Sequence, residues 1–217
     1  MVLEVMNVSK VIKGRKILED VNLHLEGGRI YGIVGRNGSG KTMLFRAISG
    51  LMKCSSGKVV LDGKELSKDF SVLPNIGLII EHTDLYPEFD GFMNLKILAG
   101  IQKKIGKEEI EEAMARVGLD AKDKRIVAKY SMGMRQKLAL AQAIMEKPDV
   151  ILLDEPTNGL DEIAVEMVRK VLREEKERGA LIMIASHNRE DIVSLSDEVY
   201  RMKSGVLSRE EVHQYEI

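Results

Sequence analysis

A glycine-rich loop that ends in a lysine and a threonine has the clearest chemical meaning in this sequence. Residues 35–42 read Gly-Arg-Asn-Gly-Ser-Gly-Lys-Thr and match the phosphate-binding pattern G-x-x-x-x-G-K-[ST]. The glycines let successive backbone N–H groups point inward, the following helix adds the positive end of its dipole, and Lys41 adds a full charge. Thr42 is placed to offer its hydroxyl to a magnesium ion that bridges the phosphates. We therefore predict a polyphosphate site that involves Gly35, Asn37, Gly38, Ser39, Gly40, Lys41, Thr42 and Met43.

Two adjacent carboxylates after an apolar run form the second candidate group. Residues 150–153 are Val-Ile-Leu-Leu and are followed by Asp154 and Glu155. The run fits a central strand, and open α/β sheets bind ligands at the carboxyl ends of their strands, so we expect Asp154 to hold magnesium. Glu155 is then suited to polarise an attacking water as a general base. Taken alone, the two acids fit a helix cap equally well, and the phosphate loop is what favours the metal site.

These side chains require strands that lead to them, and the apolar pattern of the first third predicts such strands. Residues 21–26 alternate with period two, and residues 30–34 form a short apolar run that leads directly into the glycine loop. Residues 41–52 carry apolar side chains at helical spacing, and residues 59–61 precede a tight turn at Asp62-Gly63. The order strand, glycine loop, helix is the one that a phosphate site needs.

The rest of the chain alternates helix and strand after a helical segment. We interpret residues 92–128 as a small helical insertion, with one of its helices ending at Gly118. We then predict helices at 131–146, 162–178 and 189–195, strands at 149–153 and 180–186, and a hairpin through 203–205. This alternation predicts an α/β core with parallel strands. We expect a single domain over 1–217, with the core formed by 1–91 and 129–217.

Composition narrows the classes of function. The chain has 217 residues and a net charge of −1, without the basic excess that favours nonspecific binding to nucleic acid, so no nucleic-acid partner is expected. Its longest apolar runs, 150–153 and 180–185, are far shorter than the ~20 residues of a membrane span. The first four residues do not resemble a signal peptide, and the single cysteine, Cys54, suits a reducing compartment. We therefore expect a cytoplasmic protein.

In the order and spacing of its motifs, from about residue 3 to residue 205, the sequence resembles the ATP-binding cassette (ABC) ATPases. Four further segments carry the resemblance: residues 130–136 (Tyr-Ser-Met-Gly-Met-Arg-Gln) resemble the signature motif, residues 158–161 resemble the D-loop, His187 occupies the switch-histidine position, and Glu81 occupies the Q-loop position. The resemblance implies a P-loop NTPase (RecA-like) α/β core with an N-terminal antiparallel β region and a small α-helical subdomain. It also implies ATP hydrolysis with ATP and Mg²⁺ as ligands.

The resemblance assigns roles that the residues alone leave open. It implies that each nucleotide lies between the phosphate loop of one subunit and the signature of another, so that Ser131 and Gly133 bind phosphate in trans and Asp161 lies at the dimer seam. It implies that His187 donates to the terminal phosphate and orients the water beside Glu155. Taken alone, a serine that begins a helix is more simply an N-cap, and a histidine after a strand is more often structural.

Two departures from the family pattern concern the base and the signature. Ile12 aligns with the position where an aromatic ring usually stacks under adenine, and it offers apolar contact without a π-face. We therefore expect loose discrimination between ATP and GTP. Met132 and Met134 replace the first glycine and the glutamine of the signature, and we expect Met134 to serve packing rather than chemistry.

The third departure is Glu81, which stands where a glutamine usually reaches the magnesium or its water. A glutamate keeps the acceptor oxygen and adds a negative charge, so the expected metal set is Thr42, Glu81 and Asp154. With Glu155 also close by, we expect repulsion among the three carboxylates to raise the pKa of at least one of them when no metal is bound.

Glu81 and the signature resemble a subgroup of the bacitracin-resistance type, whose partners export drugs or antimicrobial peptides. The resemblance implies the ATP-hydrolysing subunit of a transporter, which pairs with an integral-membrane permease on a separate chain, lies on the inner face of the cell membrane, and forms a homodimer or a heterodimer on binding ATP. Apolar candidates for a docking patch are Leu85, Tyr86, Phe89 and Phe92, with packing inside the insertion as the alternative. Two rival classes stay open: a soluble ABC ATPase that remodels a ribosome, DNA or a cofactor-assembly complex, and a nucleotide-binding regulator without turnover.

Overall fold

Two β-sheets organise the fold in the computed structural model, which describes residues 1–81 and 85–210. The strands are β1 (Val2–Ile12), β2 (Arg15–Glu26), β3 (Arg29–Val34), β4 (Ser56–Leu61), β5 (Lys64–Glu65), β6 (Ile76–Ile79), β7 (Val150–Asp154), β8 (Leu181–Ser186), β9 (Glu198–Lys203) and β10 (Val206–Glu210). The first sheet has the order β2-β1-β4-β5 and is antiparallel. The second has the order β10-β9-β3-β8-β7-β6, and all its pairs are parallel except β9 with β10.

Six helices connect these strands within the described residues: α1 (Lys41–Ser49), α2 (Gly91–Gln102), α3 (Lys107–Arg116), α4 (Met132–Ile144), α5 (Glu162–Glu177) and α6 (Arg189–Leu195), with a short 3₁₀ turn at Val127–Lys129. Helices α2 and α3 fall in the segment expected to be a helical insertion, and the division of the chain into a core and a subdomain stays a prediction. Across 1–81 and 85–210, none of the helices combines the length and the apolar character that crossing a bilayer requires.

The parallel sheet separates two apolar cores. Along β7, Val150 and Leu152 face the core that contains α1 and the antiparallel sheet. Ile151 and Leu153 face the core built from α2 to α6. Because both faces of the central strands are buried, these strands are continuous apolar runs rather than alternating patterns. Each run stops where the strand reaches the edge of the sheet.

Strand β6, like β1 and β5, is not among the strands that the apolar pattern predicts. It has only four residues and contains Gly77, and glycine weakens a strand pattern. A side chain at Gly77 would come within 2.0 Å of the Ala143 carbonyl oxygen on α4. The glycine is therefore required by helix packing, which a local pattern does not reveal.

Candidate active site

Three neighbouring strands deliver the candidate side chains to one edge of the parallel sheet. Strands β3, β8 and β7 are adjacent and parallel, with Val34 opposite Ser186 and Asp154 opposite Ala185. The phosphate loop follows β3, Asp154 ends β7, and His187 follows β8. This edge is where open α/β sheets bind their ligands.

The phosphate loop has the conformation and the unsatisfied groups of an anion site. Gly38 and Gly40 have φ angles of 76° and 114°, which glycine adopts without a steric penalty. Gly40 caps α1 without any side-chain hydrogen bond, so the first N–H groups of the helix, which have no partner inside the helix, are suited to bind an anion. The hydroxyl of Ser39 is buried and has no hydrogen-bond partner among the described residues. Lys41, only 6% exposed, donates to the Gly35 carbonyl at 2.7 Å.

Thr42 and Asp154 form a direct contact that fits a magnesium site. The Thr42 hydroxyl donates to an Asp154 carboxylate oxygen, and both groups are hard oxygen donors. Mg²⁺ in proteins is usually held by one or two carboxylates together with substrate phosphates, so the residues present suit that ion. Across residues 1–81 and 85–210, no cluster of three or more His, Cys, Asp or Glu side chains is arranged to hold a metal alone.

The pKa of the Asp154 carboxyl is raised, as expected for one of the three acids, although the main cause differs from the expected one. Burial of Asp154 is the largest cause that raises its pKa, and the negative charges of Glu155 and Glu81 raise it further. The hydrogen bond from Thr42 and the charge of Lys41 act in the opposite direction. Desolvation therefore outweighs the repulsion that the sequence analysis invoked.

Glu155 is held from several sides. Ser186 Oγ donates to Oε2 at 2.8 Å, the His187 backbone N–H donates to Oε1 at 2.9 Å, and His187 Nδ1 lies 2.9 Å from the same oxygen. Lys41 Nζ lies 3.9 Å from Oε1. The backbone of Glu155 has a φ of 51°, a left-handed conformation that non-glycine residues rarely adopt and that concentrates at active sites. The carboxylate is thus fixed in position beside the phosphate loop.

We call the group of side chains described so far the phosphate-loop cluster: Lys41, Thr42, Asp154, Glu155, Ser186 and His187. Glu81 reaches the same edge of the sheet because β6 pairs with β7. Its carboxylate is 56% exposed and accepts from Arg46 Nη2 at 3.0 Å. Contact of Glu81 with a metal stays a prediction.

The residues of the signature and the D-loop meet in a different place, which we call the signature cluster: Ser131, Met132, Gly133, Gly159, Leu160 and Asp161. Ser131 caps α4 by accepting from the Met134 N–H at 3.1 Å, and Asp161 caps α5 by accepting from the Ala164 N–H at 2.8 Å. A side chain at Gly133 would lie 3.5 Å from the Gly159 carbonyl oxygen. The structural interpretation of Ser131 is observed, and its contact with nucleotide, like that of Gly133 and Asp161, stays a prediction.

Two features join the two clusters. Gln136 on α4 donates to the carbonyl oxygens of Glu155 and Pro156, at 3.2 and 3.0 Å. A cleft of about 620 Å³ is bordered by Glu155 and His187 on one side and by residues 157–160 on the other. The signature helix α4 is therefore hydrogen-bonded to the backbone of Glu155.

Ile12 lies at the tip of the antiparallel sheet. It pairs with Arg15 across a two-residue turn formed by Lys13 and Gly14, both with positive φ angles, as a tight hairpin requires. The side chain of Ile12 is 39% exposed. Its contact with a nucleotide base stays a prediction.

The four apolar docking candidates divide into two pairs. Leu85 and Phe92 pack against the core, so the packing alternative holds for them. Tyr86 and Phe89 are exposed, and their rings contact each other with centroids 6.1 Å apart. The buried Asn94 fixes this loop, since its Oδ1 accepts from the Tyr86 N–H at 2.7 Å and its Nδ2 donates to the Tyr86 carbonyl at 3.1 Å.

Three residues have roles that the sequence analysis does not predict. Ser186 orients Glu155, Gln136 joins α4 to the loop after β7, and Arg46 pairs with Glu81. Ser186 directly precedes His187 at the end of a predicted strand, and Arg46 lies one helical turn after Thr42. The sequence could have indicated both residues: Ser186 by its place beside His187, and Arg46 because side chains four residues apart share a helix face with Thr42.

Comparison with known proteins gives consistent matches along the chain. The model of the ABC transporter family matches residues 18–158. The uncharacterized ABC transporter ATP-binding protein YybJ of Bacillus subtilis (strain 168) is 47% identical over 209 residues, which is 96% of each chain. The bacitracin transport ATP-binding protein BcrA of Enterococcus faecalis is 36% identical over 211 residues, which is 96% of this chain and 68% of the relative.

Solved structures match the fold. The dimeric structure of a post-hydrolysis state of the ATP-binding cassette MJ0796, bound to ADP and Pi, superposes with a TM-score of 0.87 at 21% identity and covers 98% of this chain and 100% of the other. This likeness confirms the predicted fold class, an α/β core with an antiparallel β region and added helices.

Proposed function

The chain is an ATP-binding subunit and ATPase of the ABC transporter family, and we propose that it energises the export of drugs or antimicrobial peptides through a membrane permease on a separate chain. The cargo class is supported by the relative BcrA, which is named for bacitracin transport. The rival class, a soluble ABC ATPase that remodels another complex, predicts no permease, and a nucleotide-binding regulator predicts no turnover.

The observation that carries the ATP-hydrolysis step of the proposal is the fixed carboxylate of Glu155 beside the phosphate loop. The backbone N–H groups at the start of α1 and the ammonium group of Lys41 bind the phosphates. Glu155 is oriented by Ser186 and His187 and accepts the proton of the attacking water as a general base. His187 lies at the same edge of the sheet, where it is suited to contact the terminal phosphate.

Magnesium has a place in this proposal through the residues that would hold it. Thr42 and Asp154 are in contact and Glu81 reaches the same edge of the sheet, so these three would supply its protein ligands. When bound, Mg²⁺ neutralises the charge that develops on the transferred phosphoryl group. The burial that raises the pKa of Asp154 also means that a cation near its carboxylate acts with little screening by water.

We further propose that two cassettes close on ATP, as a homodimer or a heterodimer, with the signature cluster of each facing the nucleotide of the other. Support comes from the exposure of Ser131 and from Gly133, whose lack of a side chain lets backbone approach. Asp161 is also exposed, at the N-terminus of α5. Both helix ends carry the partial positive charge that attracts phosphate.

The exposed pair Tyr86 and Phe89 is the part of the proposal that concerns the membrane partner. Aromatic side chains are enriched where proteins bind one another, since they bury a large area at low entropic cost. Asn94 holds the loop rigidly, so a permease would meet a preformed surface. We propose that this contact holds the subunit at the inner face of the cell membrane.

The experiment that tests the mechanism uses Glu155→Gln. This variant keeps the shape of the site but removes the general base, so it should bind ATP, stall hydrolysis and accumulate a dimer, measured by light scattering after size-exclusion chromatography. Lys41→Met is the matched control and should stay monomeric in ATP. A Glu155→Gln protein that remains monomeric with ATP bound contradicts the proposed dimer.

The experiment that tests the partner is purification of the wild-type chain from membranes of its own host. Recovery with an integral-membrane protein of several spans supports transport. Recovery with ribosomes or DNA supports the remodelling class instead. Tyr86→Ser with Phe89→Ser should release the subunit from the membrane fraction without changing its ATP affinity.

A further inference from the structure

Glu81 takes part in an ion pair that its sequence motif does not explain. Arg46 Nη2 donates to Glu81 Oε2 at 3.0 Å. Arg46 lies on α1 one turn after Thr42, and residues four apart share a helix face. Helix α1 therefore presents a hydroxyl to Asp154 and a guanidinium to Glu81, the two acids expected near the metal.

The backbone of Arg46 is held by two hydrogen bonds to its carbonyl oxygen. Its carbonyl oxygen accepts from the Met52 N–H at 2.9 Å and from the Ser49 hydroxyl at 3.3 Å, so the end of α1 is fixed. Its side chain is 40% exposed and that of Glu81 is 56% exposed. The pair thus lies at the rim of the site rather than inside it, and the bond to Oε2 leaves Oε1 of Glu81 as an acceptor.

The net charge of the pair explains how an acid can stand at this position. A glutamine is neutral, whereas Glu81 alone adds one negative charge to a site that already contains Asp154 and Glu155. The ion pair of Arg46 and Glu81 is neutral overall, and in this respect it resembles a glutamine side chain.

We propose that Arg46 is a positioning residue of the ATP site, which fixes the Glu81 carboxylate and offsets its charge so that an acid at this position still accommodates a triphosphate. The proposal rests on the proposed magnesium-dependent ATPase site. Without Arg46, the site has a stronger negative potential. It then attracts a divalent cation more strongly and repels free ATP.

The test is a double-mutant cycle with Arg46→Met and Glu81→Gln. Mn²⁺ binding to the nucleotide-free protein is measured by electron paramagnetic resonance, and ATP binding is measured without metal. Because ion pairs between partly exposed groups are weak, Arg46→Met should tighten Mn²⁺ binding and weaken ATP binding by about two- to fivefold each. In the double variant this pair of positions again carries no net charge, so both constants should return to within about twofold of wild type, whereas Glu81→Gln alone should shift both constants in the opposite direction.

Two controls separate positioning from general destabilisation. Arg29 makes a pair of equal length with Glu198, 3.0 Å, at the opposite end of β3, so Arg29→Met should leave Mn²⁺ and ATP binding unchanged. Arg46→Lys keeps the charge and should retain most of the wild-type Mn²⁺ affinity. The proposal is overturned if Arg46→Met behaves like wild type, or if its effects persist in the double variant.

The same measurements distinguish this proposal from the proposed transport function. Mn²⁺ and ATP binding are read without turnover, dimer formation or a permease. A wild-type chain that binds no permease would contradict transport and leave the cycle interpretable. A double variant that does not return to wild-type Mn²⁺ and ATP binding would contradict the role of Arg46 and leave transport intact.

Discussion

The phosphate-loop cluster and the signature cluster differ in how far the chain completes them by itself. In the first, Glu155 has contacts from Ser186, His187 and Lys41, and Asp154 has a contact from Thr42. In the second, the observed contacts are those of helix caps and of one glycine packed against another. In the phosphate-loop cluster the contacts orient two carboxylates, whereas in the signature cluster they cap the ends of two helices.

Under the proposed dimer, the difference shows which half of the nucleotide site one chain builds by itself. The contacts that orient Glu155, the proposed general base, come from the same chain and are formed without substrate. Helix ends that receive a phosphate from another molecule need only be exposed and correctly capped. Gln136 joins the two, so the signature helix is connected to the base through the backbone of Glu155.

The largest expected effect separates the clusters at the level of ATP binding. Lys41→Met removes a buried ammonium group from the phosphate loop, and hydrogen bonds to charged groups contribute about 1.5–3 kcal/mol each. ATP affinity should fall on the order of 100-fold, measured by isothermal titration. If the affinity falls less than about threefold, phosphate binding does not depend on this loop.

The matched change in the signature cluster is Gly133→Asp, with Gly133→Ala as its control. An added Cβ meets its neighbours at 3.5 Å, which is ordinary contact, and an acid in the first turn favours the helix. Gly133→Asp should leave ATP binding by the monomer unchanged. It should lower ATP hydrolysis about tenfold or more, because its negative charge repels the phosphate. Gly133→Ala should lower hydrolysis less. If Gly133→Asp and wild type hydrolyse ATP at equal rates, Gly133 does not contact the nucleotide.

Ser131 allows its cap role and its proposed phosphate role to be separated. Ser131→Ala loses the cap and about 1 kcal/mol of stability, which lowers the Tm of a domain of this size by about 2–4 °C. Ser131→Asp caps α4 equally well, so its Tm should match wild type, but its carboxylate should lower hydrolysis as Gly133→Asp does. Calorimetry and phosphate release measure the two roles, and an active Ser131→Asp protein would leave the serine with the cap role alone.

The sequence predicts those features of the two clusters that depend on neighbouring residues, and it does not predict those that depend on residues far apart in the chain. The order strand, glycine loop, helix is local, and it places Lys41 and Thr42 correctly relative to β3 and α1. The helix end expected at Gly118 is also local: α3 ends at Arg116, and Gly118 has a φ of 70°. The α/β core with parallel strands followed from such signals, and the antiparallel β region and the helical subdomain followed from the family resemblance. The fold class is confirmed, whereas the binding roles of the site residues stay predictions.

The contacts that lie outside this prediction join residues far apart in the chain. Arg46 and Glu81 are separated by 35 positions, and Ser186 and Glu155 by 31. These pairings depend on the register of β6, β7 and β8, which periodicity within one segment does not specify. The same limit applies to Asp154, where like charges were visible in the sequence but the larger effect, burial, was not.

The smallest expected effect is a change in the stability of the nucleotide-free protein, caused by Asp154 in the phosphate-loop cluster. Burial raises the pKa of Asp154 above its ordinary 3.8, so the folded protein binds that proton more tightly than the unfolded chain does, and stability is lost as pH rises through the raised pKa. Asp154→Asn, which still accepts from Thr42, should therefore raise the Tm of the nucleotide-free protein at pH 7 by at most about 2–4 °C. The difference should shrink as the pH is lowered toward 3.8. Equal melting temperatures of wild type and Asp154→Asn at pH 7 would mean that burial of the ionised Asp154 carboxylate does not destabilise the fold. The two clusters would then differ in the geometry of their contacts and not in the cost of burying a charge.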